Sequence, residues 1–215
     1  MISEKDAFSI VVLGAMNPPI HHPQWYAEVG ILTQAEADQA LRSPGFTCTA
    51  DAAELVFGAV HLRCSRSRWS VGTTRADLVE RMLDIAVSTH DRLHDTPVTG
   101  FGLNFDYVRE VSGPDAVAVL VHVAQSAPLG LLPDGALGAA IRYRRVVGDG
   151  VVTVVINPVD SPRQAEVKNN YHQELVAVGQ VKLGALIQGV FSVARDEAEA
   201  QLARTLAAFG QAGRA

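Results

Sequence analysis

Between Leu55 and Ala76 the chain has no acidic residue but four arginines, Arg63, Arg66, Arg68 and Arg75. Three more, Arg142, Arg144 and Arg145, crowd a second stretch, with Tyr143 between the first two. A guanidinium is a planar fork that pairs bidentately with carboxylate or phosphate and stacks on aromatic rings. Arg63, Arg66, Arg68, Arg142, Arg144 and Arg145 are therefore candidate contacts to an acidic protein surface or to a phosphate backbone. The bland alternative is a solvated strand face whose arginines pair with nearby carboxylates. On a regular strand Arg66 and Arg68 share one side and Trp69 takes the other.

A second candidate site is polar rather than basic. His172 follows Asn169, Asn170 and Tyr171, and amide side chains can orient an imidazole. Gly100-Phe101-Gly102-Leu103-Asn104 lacks the third glycine and the following helix of a phosphate cradle, so a close backbone approach explains its glycines. Asn104, Asn170 and His172 form a possible small-ligand site. His90 and His94 stand four apart, a spacing that places two imidazoles on one helix face, but the residues between them include no glutamate base. Histidines in a last helical turn also suit the carbonyl end of the dipole. His21-His22 falls in a proline-rich loop where adjacent side chains diverge, and His61 and His122 lie inside apolar runs. No metal or cofactor is expected.

Nucleophilic chemistry has little support. There is no G-x-S-x-G elbow, no S-x-x-K and no catalytic-cysteine signature. Cys48 and Cys64 are too few for a disulfide framework. Cys64 has Arg63 and Arg66 nearby, which would lower a thiol pKa if they faced it.

The elements that must position these residues follow from periodicity and breakers. Phe8–Leu13 reads as a strand ending at Gly14. Asn17 to Pro23 holds three prolines and reads as an extended loop. Thr33 with Glu36 forms a capping box for a helix to about Arg42. Phe46–Thr49, Leu55–Leu62 and Arg68–Gly72 read as strands. Thr74 with Asp77 caps a helix whose apolar stripe runs from Leu78 to Leu93 and stops before Pro97. Val98–Val108 is a strand, and residues 115–125 are apolar and fit either a helix or a buried strand. Gly138–Val147 and Val151–Asn157 flank a glycine hairpin turn at Gly148-Asp149-Gly150. Tyr171–Val178 is a further strand, and Ser192 caps a final helix.

These elements predict an α+β fold, an antiparallel sheet backed by two long helices, in one compact domain over residues 1–215. Residues 1–95 and 96–215 run through a similar β-α-β-β-β-α order. That order is similar to the saddle-like arrangement of TATA-binding and helix-grip proteins, a likeness of fold that implies no function.

Composition narrows the role. The chain has 215 residues, 48% hydrophobic and 19% charged, with net charge -5. That excludes a disordered chain and argues against one devoted to coating nucleic acid. No apolar run reaches the roughly 20 residues of a membrane span, and the N-terminus lacks a secretory pattern, so no membrane contact and a cytoplasmic location are expected. A charged share below the usual figure of about 25% suits a chain that hides surface in an assembly. The expected role is a non-catalytic subunit or adaptor whose partners are other protein subunits or its own copies. Nucleic acid is the second choice of partner, and a small-ligand binder or enzyme near His172 the third.

Overall fold

The computed structural model describes residues 5–111, 116–125, 139–159, 163–175 and 182–212. In chain order the elements are β1 (Lys5–Gly14), α1 (Pro23–Glu28), α2 (Gln34–Arg42), β2 (Thr47–Cys48), β3 (Ala52–Phe57), β4 (Val60–Ser65) and β5 (Arg68–Thr73). They continue with α3 (Val79–Arg92), β6 (Val98–Glu110), α4 (Ala116–Gln125), β7 (Ile141–Val147), β8 (Gly150–Pro158), β9 (Gln164–Glu174) and α5 (Leu183–Ala212). The fold is α+β, with a nine-stranded antiparallel sheet in the order β2-β3-β4-β5-β1-β6-β9-β8-β7.

Several boundaries differ from the sequence reading, each for a local reason. The expected strand Leu55–Leu62 is two strands, because Gly58 at φ +60° makes the turn between β3 and β4. The proline-rich stretch is not extended throughout. Pro18–Ile20 is a 3₁₀ turn, and Pro23 opens α1 at its first position, where a missing N–H costs nothing. His22 caps that helix, its Nδ1 accepting from the Gln24 N–H at 3.2 Å. Thr74 does not cap α3: Ala76–Leu78 is a 3₁₀ turn, and Asp77 pairs with Arg75 instead. Ser192 lies inside α5, which begins at Leu183. The ambiguous run 115–125 is helical over α4. The last residues of the expected strand Tyr171–Val178 lie outside the described residues.

The α2 capping box forms as expected. The Thr33 N–H donates to Glu36 Oε2 at 2.7 Å, and the Glu36 N–H donates to Thr33 Oγ1 at 3.2 Å. Arg81 from α3 adds a bond to the same carboxylate at 3.0 Å. Burial raises the Glu36 carboxyl, but the Thr33 bonds and Arg81 outweigh it and hold the group below the usual range. Thr33→Ala should cost about 1 kcal/mol, measured as a lower urea midpoint. A midpoint equal to the parent's would remove the box from the stability account.

The described chain divides into two compact units. One comprises residues 7–104 and 172–192. Its core is built on Ile10, Val12, Leu55, Leu62, Trp69 and Val71 from the strands and Met82, Ile85 and Ala86 from α3. The other comprises residues 1–6, 105–171 and 193–215. Its core includes Phe105, Val154, Val167, Leu120, Ala194 and Ala198. In that unit Arg109 donates to Asp6, with one bond of 2.9 Å, which ties β1 to β6 at its start. No helix of the described residues is long and apolar enough to cross a membrane.

Candidate functional site

Strand register sorts the arginines. In the first unit Val12 lies opposite Trp69, and Cys64 opposite Trp69 on the other flank. These alternate residues are buried on the helix side. The residues between them, His61, Arg63 and Ser65 on β4 and Arg68 and Ser70 on β5, are exposed or half-buried on the open side. Arg63, Arg68, His61, Ser70 and Ser9 line a shallow hollow of about 250 Å³ there, with Gly72 in its wall. A neighbouring hollow of about 470 Å³ shares Arg63, Arg68 and Ser70 and reaches Thr47 and Glu54.

Two of these arginines are taken up locally. Arg63 reaches across to Glu54, its register partner, at 2.8 Å. Arg66 does not share a strand side with Arg68, because it sits in the two-residue turn between β4 and β5, 2.7 Å from Asp51. Arg68 has no acidic partner among the described residues. Trp69 lies on the opposite side from Arg68, as the alternation predicts.

The second unit repeats the sorting. Arg142 and Arg144 are exposed on the open side of β7, opposite Val155 and Thr153 of β8. Arg145 is on the helix side, where it pairs with Glu197 of α5. Arg204 holds the same carboxylate at 2.7 Å, and its hydrogen bond is the main cause of a lowered Glu197 pKa. Arg142 and Arg144 have no acidic partner among the described residues. Tyr143 lies on the helix side, so it does not stand between the two guanidinium groups. On both units the described open-side strand residues include no Phe, Tyr or Trp, a direct consequence of the period-2 alternation.

The sequence reading missed a charged group on the inner strands of the second unit. Asp106 on β6 is half-buried, and burial pushes its carboxyl up to about 6, with Lys168 opposing the shift and Glu166 adding to it. Lys168 pairs with Glu166 at 3.1 Å, and Asn157 donates to Glu166 at 3.2 Å. These residues are scattered over β6, β8 and β9, so no linear motif marks them.

Of the three polar candidates for a small-ligand site, Asn104 and His172 belong to the first unit and Asn170 to the second. Asn104 donates to Ser9 Oγ at 3.0 Å, within the first unit. His172 lies on β9 beside Gly100, whose missing Cβ would meet the imidazole at 3.4 Å and the Gln173 carbonyl at 3.0 Å. Asn170 belongs to the other unit, on the same side of β9 as His172 by alternation. Asn169 faces the helix side at 3% exposure, and neither amide atom has a hydrogen-bond partner among the described residues.

His21, His90 and Cys64 take structural places. His21 Nδ1 lies 2.7 Å from the Tyr26 hydroxyl, which also accepts from the Trp69 indole N–H at 3.3 Å. His90 packs edge-on against Trp69, 4.8 Å between ring centres. His94 is exposed beside Asp95, so His90 and His94 do not converge. Among the described residues no group of three His, Cys, Asp or Glu side chains could hold a metal ion. Cys64 is buried, and desolvation pushes its thiol up to about 12. That reverses the expected effect of Arg63 and Arg66, both of which turn to carboxylates instead. No protein-family model matches this chain, and no curated protein matches it.

Proposed function

We propose that this chain is a non-catalytic subunit or adaptor of a multiprotein assembly or homo-oligomer, acting through protein–protein contacts. One observation carries the reading. Each unit leaves one sheet side without a described helix over it, and that side presents the arginines that lack acidic partners among the described residues: Arg68 in one unit, Arg142 and Arg144 in the other. An unpaired guanidinium on a firm strand is suited to bidentate contact with a partner's carboxylates. A charged share of only 19% agrees, since surface buried in an assembly need not carry charge. The partner is other protein chains or further copies of this one.

The same use would follow if the chain were duplicated. Each half runs β, helix, a set of antiparallel strands, then a long helix, and the sheet order places β1 and β6 as neighbours. A helix-grip-like repeat of this kind would present one basic patch per half. Nucleic acid suits the surface less well, because base stacking needs aromatic side chains on the arginine side.

The test is co-purification at low salt from cells that make the protein. A stoichiometric protein partner or a defined oligomer is expected, with little absorbance from nucleic acid. The variant carrying Arg68→Glu, Arg142→Glu and Arg144→Glu should lose it at least tenfold, with its melting temperature unchanged. A chain that remains a solitary monomer at every concentration overturns the reading. So does nucleic acid that leaves as salt rises, which would make the arginines a phosphate clamp.

A further inference from the structure

We infer that β7 is a docking edge that takes an extended segment of a partner protein as an added strand, one with acidic side chains alternating with apolar ones. This rests on the adaptor reading and names its mode of contact. Among the described residues β7 ends the sheet order, with β8 as its only neighbour. Gly148, at φ +57°, and Asp149 form the two-residue turn that joins them, and Val147 pairs with Gly150. In a hairpin with a two-residue loop the closing pair exchanges both backbone bonds, and every second pair does the same. Val147, Arg145, Tyr143 and Ile141 therefore bond to β8. The N–H and C=O groups of Arg142, Arg144 and Val146 point away from it, along the open edge.

Side-chain chemistry on the two sides of that edge specifies the guest. On the open side stand Arg142 and Arg144, exposed and without acidic partners among the described residues. On the helix side Ile141 and Tyr143 help line a hollow of about 420 Å³, walled by Leu120, Ile156, Ala208 and Phe209 among others. An added strand places its own residues alternately toward these two surfaces. Carboxylates on one side meet the guanidinium groups, and apolar side chains on the other reach the hollow. Val146, 78% exposed, lies on the same edge.

The charges also decide against a second copy of this chain. An antiparallel β7–β7 pair centred on the strand would set Arg144 opposite Arg144, and like charges directly opposite are destabilising. Arginines on an edge commonly serve only to block such pairing. The apolar hollow on the other side of the same residues is what that protective role leaves unexplained.

The experiment uses the full chain and a short fluorescein-labelled peptide with glutamates at alternate positions and leucines between them. Fluorescence anisotropy should show saturable binding that weakens with salt. A peptide of equal composition with its glutamates grouped should bind at least tenfold more weakly. Charge reversal at Arg142 and Arg144 should weaken binding at least tenfold while the circular dichroism spectrum is unchanged. Backbone N-methylation of the peptide separates strand addition from mere charge attraction. Methylating one alternate set of residues should abolish binding, and methylating the other set should leave it. Equal tolerance of both sets overturns the inference, as does an absence of binding at millimolar peptide. Self-association that is lost in the charge-reversed variant would make a second copy the occupant and also overturn it. A partner captured through Arg68 but indifferent to β7 would overturn only this inference and leave the adaptor reading standing.

Discussion

Lowering the pH from about 7 to about 5 should cost the first unit roughly 4 kcal/mol of stability. The cause is a pair of buried neutral histidines. His21 is 2% exposed and His90 3% exposed, and burial lowers their pKa values from 6.5 to about 4 and about 3. The His21 charge adds a smaller lowering to His90. Both folded values lie below the unfolded value, so the unfolded chain takes up protons first as the pH falls. Stability is complete above about pH 6.5 and is lost as the pH falls, down to about 4 for His21 and about 3 for His90. Each histidine contributes a slope of up to about 1.4 kcal/mol per pH unit, and the sum is comparable to the whole stability of many domains.

The groups around this pair offer no compensating charge. Tyr26 faces His21 from α1, Trp69 faces both histidines from β5, and Cys64 is near Tyr26 from β4. None of them is ionised at these pH values, because burial raises both the Tyr26 hydroxyl and the Cys64 thiol. Among the described residues His90 has no hydrogen-bond partner at either ring nitrogen. His90→Phe should therefore keep the edge-on packing against Trp69, raise stability at pH 7 and halve the loss between pH 7 and 5. Trp25 and Trp69 are both in this unit, so urea unfolding followed by tryptophan fluorescence measures it selectively. An unchanged pH slope in His90→Phe would remove that histidine from the explanation. Asp106 works in the opposite sense, since its raised carboxyl gains a proton in the folded state first, but it belongs to the other unit.

What the sequence showed and what it hid follow one physical division. Local signals were legible: the Thr33–Glu36 box, the Gly148-Asp149 turn, the α3 stripe and the opposite siding of Arg68 and Trp69 need only neighbours within a few residues. Partners set by register across strands were not. Arg63 meets Glu54 and Arg66 meets Asp51 only because β3 and β4 pair, and that pairing depends on a turn at Gly58 that the apolar run Leu55–Leu62 concealed. Arg145 departs from Arg144 because of alternation, but its carboxylate lies 52 positions away on α5, at Glu197. Six candidate arginines thus reduce to Arg68, Arg142 and Arg144 without acidic partners among the described residues. The His21–Tyr26–Trp69–His90 cluster draws on four separate elements or loops, and α1 itself was hidden by reading Pro23 as a breaker when it stands at a helix start.

Gly14→Ala should be among the most damaging single substitutions in the first unit. A Cβ there would lie 2.1 Å from the Pro97 carbonyl oxygen and 2.9 Å from Val98 Cα. Both are backbone atoms, so no side-chain rotation relieves the overlap. The same Pro97 oxygen accepts from the Ala15 N–H at 2.8 Å, and Gly14 donates to Ser67 at 3.1 Å. Displacing Pro97 therefore strains or breaks a hydrogen bond as well as the packing, for a combined cost of about 3 kcal/mol. Gly45→Ala is the control, because its nearest neighbour, a Val56 methyl, is 3.8 Å away and its φ is not in the left-handed region. Gly45→Ala should be neutral or slightly stabilising through the unfolded chain. Unfolding free energies from urea titration within about 1 kcal/mol of each other would show that the strand end yields and that the close approach is not required. A large gap would mean that Gly14 fixes how β1 leaves the sheet. The chain there runs through Met16, whose N–H donates to Arg66 at 2.8 Å, to His21 and its bond with Tyr26. The Gly14→Ala variant should consequently lose stability with acid less steeply, because a loosened His21 has less burial to lower its pKa.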